Sequence, residues 1–255
     1  MKPILTETKD GVARIEINRP EKKNALTAAM YQAMADAIKA AEADASVRAL
    51  LIHGKPGLFT AGNDLQDFLD HPPRDDKRPV FQFLYGISQA QKPIVAAVAG
   101  VAVGIGTTML LHCDLVYAAP NARLQLPFVN LGLVPEAASS LLLPALVGYQ
   151  RAAELLLLGE PFSAQQAKAI GLVTEVVPEG ELFDTAMAQA KKLAGKPAAS
   201  LRLTKQLMKQ GQAAAVAQRI KLESDHFGER LASPEAKEAF SAFLAKRKPD
   251  FSRFD

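Results

Sequence analysis

Near the start of the chain Ala13, Ile15 and Ile17 are interleaved with Arg14, Glu16 and Asn18. A period of two predicts a half-buried strand. A turn at Arg19-Pro20-Glu21 follows, and from about Thr27 the period lengthens. Met30, Met34 and Ile38 recur every fourth residue, as on one face of a helix. Apolar runs at Ala49 to His53 and Ile94 to Ala99 predict two more strands, the second introduced by Pro93. Gly100, Gly104 and Gly106 then lead into an apolar helix ending near His112, and Leu115 to Ala118 and Arg123 to Leu126 read as short strands. Strand and helix signals in alternation predict an α/β layered core.

Beyond about residue 145 the strand signal fades, and Val173 to Val177 is the last clear one. Ser163 with Gln166 has capping-box spacing, and Gly159 and Gly171 are helix stops. From about Pro197 onward the pattern is helical. Ser233-Pro234 makes an N-cap and first helical position, with Phe240, Phe243 and Leu244 as an apolar stripe behind it. Such a tail must fold back or pack on another subunit, and we expect the second. The expected division is a core at 1–196 and a helical oligomerisation region at 197–255. The segment from His71 to Pro79, with two adjacent prolines and five charges, predicts irregular structure: a surface loop or a cover beside a binding site.

Composition narrows the classes. A chain of 255 residues, 49% hydrophobic and 22% charged, is globular, with one or two domains expected. A net charge of +3 is too small to argue for nucleic acid. Lys246-Arg247-Lys248 is the densest basic tract and reads as a solvated helix end or a phosphate contact. No apolar stretch is long enough to predict a membrane span, and Met1 to Asp10 has no signal-peptide character. Cys113 is the single cysteine, which excludes an internal disulfide framework and a cysteine zinc cluster. The four histidines, His53, His71, His112 and His226, lack metal-binding spacing, so no metal is expected. A soluble, cytoplasmic protein is expected.

Neither a G-x-S-x-G elbow nor a phosphate-binding P-loop is present. Gly100, Gly104 and Gly106 have the order G-x-x-x-G-x-G, which differs from the dinucleotide fingerprint. They offer instead a strand that stops abruptly before a helix whose first amides are unsatisfied. Phe59-Thr60-Ala61-Gly62-Asn63-Asp64-Leu65 has the same character. The pair reads as two tight turns, or as two backbone donors facing a developing oxyanion.

Three segments carry a resemblance: LFTAGNDL at 58–65, KPIVAAVAGVAVGIGTTMLLHCDLVYAA at 92–119 and LQLPFVNLGLVPEAASS at 124–140. With RPEKKNALT at 19–27 and AKRKPDF at 245–251, they are similar to the crotonase (enoyl-CoA hydratase/isomerase) superfamily. The resemblance implies a spiral of ββα turns followed by a C-terminal helical region that mediates trimerisation, giving a homotrimer or hexamer. It implies acyl-CoA thioester substrates, with coenzyme A as part of the substrate and no separate cofactor. The thioester oxygen would be held by the backbone amides of Asn63 and Ile105, the latter between Gly104 and Gly106. Coenzyme A would be held by Lys22, Lys23, Ala25 and Leu26, with Ala61, Asp64 and Leu65 beside the pantetheine.

Departures from the family pattern bear on the chemistry. Where hydratases carry two glutamates, this chain has Thr108 and Phe128, neither of which can act as a carboxylate acid or base. Glu136 follows Pro135, a pattern similar to that of Δ3,Δ2-enoyl-CoA isomerases of the peroxisomal type, which place one catalytic glutamate there. By itself an acid at that place also reads as a helix N-terminal residue favoured by the dipole. Its apolar neighbours Phe128, Val129, Leu131 and Val134 would raise its pKa and the helix end would lower it. The resemblance implies an isomerase of lipid metabolism that moves a double bond from 3-enoyl-CoA to 2-enoyl-CoA through Glu136. The alternatives are a hydratase acting on an unusual acyl chain and a non-catalytic acyl-CoA-binding protein.

Overall fold

The structure, a computed structural model, describes residues 2–70 and 78–254. Among the described residues nine strands lie in chain order: β1 (Ile4–Lys9), β2 (Val12–Ile17), β3 (Ala49–His53), β4 (Ile94–Val98), β5 (Val101–Val103), β6 (Leu115–Ala118), β7 (Arg123–Gln125), β8 (Phe162–Ser163) and β9 (Glu175–Val176). They form a six-stranded sheet of order β1-β2-β3-β4-β6-β9 and a three-stranded sheet of order β5-β7-β8. Only the β1–β2 hairpin in the larger sheet and the β7–β8 pair in the smaller are antiparallel. Successive strands step between the sheets: β4 to β5, β6 to β7, and β8 to β9. Returning parallel to the larger sheet requires crossovers, which helices supply. This is the spiral of ββα turns that the motifs imply.

The larger sheet is covered on both faces, so β3 and β4 are buried along their whole length. On one face lie the helices Ala28–Ala43 and Pro79–Gln89, contributing Met30, Met34, Ile38, Phe83 and Leu84 to the main core. The first helix is capped by Thr27, whose hydroxyl accepts from the Met30 N–H. On the other face the helix Leu182–Ala194 packs Leu182, Ala186 and Ala190 against Val12, Leu51, Val95 and Tyr117. This second cover changes the expectation for β2, which is buried almost throughout rather than half-buried. Glu16 on that strand is buried and satisfied by ion pairs to Lys55 at 2.5 Å and Arg14 at 3.7 Å.

The helical tail consists of Ala198–Leu231 and Pro234–Leu244. Ser233 caps the second helix, with its hydroxyl accepting from Ala236 N–H. The expected stripe divides: Phe240 is buried in this chain's own core, 4% exposed, whereas Phe243 and Leu244 are 62% and 65% exposed. Ile220, Phe227, Leu231 and Ala236 join the same core as the sheet. From Ile220 onward the tail therefore folds back on this chain's own core, which corrects the expectation that the whole stripe faces outward. The segment expected to be irregular between His71 and Pro79 lies outside the described residues except for Arg78 and Pro79. These two open the Pro79–Gln89 helix as N-cap and first residue.

Candidate active site

Two turns are brought side by side because the segments feeding them run parallel. Thr60 pairs with Ala102. Thr60 N–H donates to Val101 O at 2.9 Å and Val103 N–H donates to Thr60 O at 3.1 Å. Asn63 and Ile105 each stand three residues beyond that pair, so the segments carry both to the same level. Among the described residues neither backbone N–H has an acceptor. For Ile105 this follows from its place as the first residue of a short helix, Ile105–Thr108.

Glycine makes the approach possible. Gly62 has φ +89°, and a Cβ on it would lie 2.7 Å from the Val103 carbonyl oxygen. A Cβ on Gly106 would lie 2.7 Å from Thr60 Cγ2 and 3.0 Å from Thr60 O. Gly104 donates its N–H to Gln125 O at 2.9 Å and accepts from Thr107 and Thr108. Its role is to end β5 and start the helix.

The first turn is stitched to the same place. Ala61 N–H donates to Lys23 O at 3.0 Å, Leu26 N–H to Gly62 O at 2.8 Å, and Asp64 N–H to Leu26 O at 2.9 Å. Arg19 donates to Asp64 Oδ2 at 2.6 Å and to Ala25 O at 2.9 Å. Asn24, buried with φ 56°, donates to Phe59 O at 2.8 Å, while Thr60 Oγ1 donates to Asn24 O at 2.7 Å. The residues expected at coenzyme A thus form two neighbouring segments. Lys22 and Lys23 project to solvent, and Ala25, Ala61 and Leu65 are half-buried. Leu26 points into the core, and the carboxylate of Asp64 is committed to Arg19.

Glu136 lies between Pro135 and two alanines that adopt left-handed conformations, Ala137 with φ 61° and Ala138 with φ 57°. Consecutive non-glycine residues in that region are strained, at about 1–3 kcal/mol each. The strain is held by side chains. His112 Nε2–H donates to Ala137 O at 2.8 Å, and Glu223 accepts from Ala138 N–H at 2.6 Å and Ser140 N–H at 2.9 Å. Ser139 Oγ donates to Glu136 O at 2.6 Å. The helix Ser139–Val147 begins only after the turn, so Glu136 precedes its first residue by three positions.

The Glu136 carboxyl is buried, with Oε1 unpartnered. Burial, and secondarily the charge of Glu223, raise its pKa to about 8. Of the two opposing influences read from the sequence, desolvation prevails. Tyr31, on the Ala28–Ala43 helix, donates its hydroxyl to Asn63 Oδ1. Burial and the charge of Glu136 push the Tyr31 hydroxyl well above its usual range, so it stays a donor. His112 is pushed down to about 4 by burial and is neutral. Thr108 is fully buried with Oγ1 unpartnered, and Phe128 is buried in the core beneath Leu131 and Leu133. No group of three or more metal-ligating side chains is found among the described residues.

Tyr31, Asn24, Arg19 and Glu223 were not singled out from the sequence. Glu223 had a signal: it interrupts a helical stripe of Ile220, Phe227 and Leu231, and an acid inside an apolar stripe needs a partner. Arg247, within the basic tract considered for phosphate, is bound to Glu238 at 2.5 and 2.9 Å.

Residues 7–253 match the family model described as enoyl-CoA hydratase/isomerase. The 1,2-epoxyphenylacetyl-CoA isomerase of Escherichia coli (strain K12) is 37% identical, with 99% of each chain covered. A probable enoyl-CoA hydratase of Bacillus subtilis (strain 168) is 36% identical over 94% of this chain and 95% of its own. Among solved structures, an enoyl-CoA hydratase/isomerase from Pseudoalteromonas atlantica T6c superposes with a TM-score of 0.93 at 42% identity, covering 98% of this chain and 100% of its own.

Proposed function

The chain belongs to the enoyl-CoA hydratase/isomerase family, whose members act on acyl-CoA thioesters, and from that premise we propose that it moves the double bond of a 3-enoyl-CoA to the 2-position. The observation that supports this reading most is Glu136, a buried carboxyl of raised pKa with Oε1 unpartnered, linked through Tyr31 to the turn of Asn63; the resemblance puts Thr108 and Phe128 at the places of the hydratase glutamates. One carboxyl suffices to move one proton across one face of a substrate, whereas hydration by the family pattern uses two.

In the proposed reaction the thioester oxygen lies between the Asn63 and Ile105 N–H groups. The Glu136 carboxylate takes a proton from C2, and the electron pair of that C–H bond spreads through a dienolate onto the held oxygen. The neutral Glu136 carboxyl then delivers the proton to C4, which gives the conjugated 2-enoyl thioester and restores the carboxylate. Each amide donor contributes about 10²–10³ in rate through charge stabilisation. A carboxyl titrating near 8 is well matched to both halves of the cycle, since it accepts from a carbon acid and returns the same proton.

At pH 7 a group titrating near 8 is ionised in about one molecule in ten, so kcat/KM for the 3-enoyl thioester should rise with pH and level off above pH 8. The test is to incubate the purified protein separately with 3-enoyl-CoA and 2-enoyl-CoA and to follow isomerisation and hydration in parallel. Rapid isomerisation with little hydration is expected. Hydration of 2-enoyl-CoA without isomerisation would replace this reading with the hydratase one, and binding without either product would favour a non-catalytic role.

The exposed Phe243 and Leu244 also suit a homotrimer or hexamer. Sedimentation should give a species of at least three chains; a stable monomer at micromolar concentration would remove that part of the proposal.

A further inference from the structure

Glu223 lies on the Ala198–Leu231 helix, 85 residues from Ala138, yet its buried carboxylate is wholly occupied by the turn that follows Glu136. Oε2 accepts from Ala138 N–H at 2.6 Å; Oε1 accepts from Ser140 N–H at 2.9 Å and from Ser140 Oγ–H at 2.6 Å. Arg219, one turn earlier on the same helix, donates to Ser140 Oγ at 3.0 Å. These bonds satisfy amides at the start of the Ser139–Val147 helix, where a negative charge is favoured. They also tie down Ala138, the second of the two strained alanines.

We propose that Glu223 is a positioning residue for Glu136: its carboxylate locks the left-handed Ala137–Ala138 turn that aims the Glu136 carboxyl, and brings a second acid close to it. The inference rests on the reading of Glu136 as the proton carrier. A neutral residue could satisfy some of the same amides, but only a carboxylate accepts from three donors at once and repels a second carboxylate nearby. The other titratable groups around Glu136 do not duplicate that charge. Tyr31 from the Ala28–Ala43 helix remains protonated, and His112, bonded to Ala137 O, remains neutral. Arg219 supports Ser140, and Lys209 donates to the His112 carbonyl at 3.3 Å. Burial raises the pKa of Glu223 itself, while the donors from Ser140 and Ala138 oppose that rise.

The experiment follows the carbon-13 carboxyl signal of Glu136, assigned by its loss in Glu136→Gln, through a pH titration of the intact protein. In Glu223→Gln the amide NH₂ confronts a backbone N–H that formerly found an acceptor, and the charge is gone. The Glu136 midpoint should fall by about one pH unit, and in the isomerase assay the rising limb of kcat against pH should move by the same amount with KM little changed. A purely structural role would lower the melting temperature and leave the midpoint in place, and that result would overturn the proposal. Should Glu223→Gln not fold, Glu223→Asp keeps a carboxylate but draws its charge back by one methylene from the turn and from Glu136. The Glu136 midpoint should then fall by a smaller amount, and an unchanged midpoint overturns the proposal equally. The titration needs no substrate. A shifted midpoint in a protein that isomerises nothing would therefore reject the isomerase reading and keep the coupling of Glu223 to Glu136.

Discussion

The turns carrying Asn63 and Ile105 are held by backbone hydrogen bonds between adjacent segments, whereas the turn carrying Glu136 is held by side chains arriving from distant parts of the chain. Thr60, Val101 and Val103 exchange main-chain bonds that set the first pair, and the identity of the side chains at Asn63 and Ile105 matters little to an amide donor. Around Glu136 the supports are the imidazole of His112 and the carboxylate of Glu223. The turns of the proposed oxyanion site rest first on strand pairing and glycine, with Asn24, Thr60 and Arg19 adding side-chain bonds, while the proposed base sits in a buried environment set by side chains. The first should be sensitive to any added Cβ and tolerant elsewhere. The second should respond to single charges far away in sequence.

The largest effect expected is at the proposed base. Glu136→Gln keeps the shape but cannot take the C2 proton, so isomerase turnover should fall by about 10²–10⁴. Acyl-CoA binding, measured by calorimetry, should barely change. On the other side of the comparison, Gly62→Ala forces a side chain into φ +89° and against the Val103 carbonyl. Turnover should fall by about 10²–10³ as the amide pair is pushed apart, and chemical denaturation should show a loss of stability of about 1–3 kcal/mol. Equal stability and activity in this variant would show that the turns need not touch as closely as described.

A third prediction separates the two regions by pH. Glu136 has a folded pKa raised from the usual 4.5 to about 8, so the folded state holds a proton that the unfolded chain gives up. Its contribution therefore disfavours folding progressively as pH rises from about 4.5 to 8. Glu136→Gln should raise the melting temperature at pH 8.5 by roughly 8–15 °C relative to its effect at pH 5. No such pH-dependent gain is expected from substitutions at Asn63, because nothing there titrates. The smallest effect joins the regions: Tyr31→Phe removes the hydroxyl that donates to Asn63 Oδ1 and should lower kcat by about tenfold or less, consistent with one neutral hydrogen bond.

The unequal legibility of the two regions has the same origin. The glycines at 62, 104 and 106, following short apolar strands, are local signals, and the turns are where those signals put them. Glu136 stands out by its place after Pro135, but the sign of its pKa shift depends on packing that no local pattern encodes. Tyr31 hides beside the Met30, Met34 and Ile38 stripe, since an aromatic ring there reads as core and only its hydroxyl reaches the site. Strands β5 and β8 are three residues or fewer, too short to show a period, whereas β9 lies within the Val173 to Val177 run that reads as a strand. The tail misled for a related reason. Helical periodicity marks a face as apolar without saying which surface will cover it, and Phe240 finds its cover within the chain.

The central claim is that one carboxyl, Glu136, carries a proton from C2 to C4 of a thioester held by two backbone amides. The direct measurement is a single turnover of 3-enoyl-CoA deuterated at C2, with the product examined by NMR for label at C4, in the unaltered protein and in Glu136→Gln. 2-Enoyl-CoA bearing deuterium at C4 is expected in at least part of the product, with loss of turnover in the variant. Product wholly free of deuterium at C4, or turnover in Glu136→Gln as fast as in the unaltered protein, would contradict it.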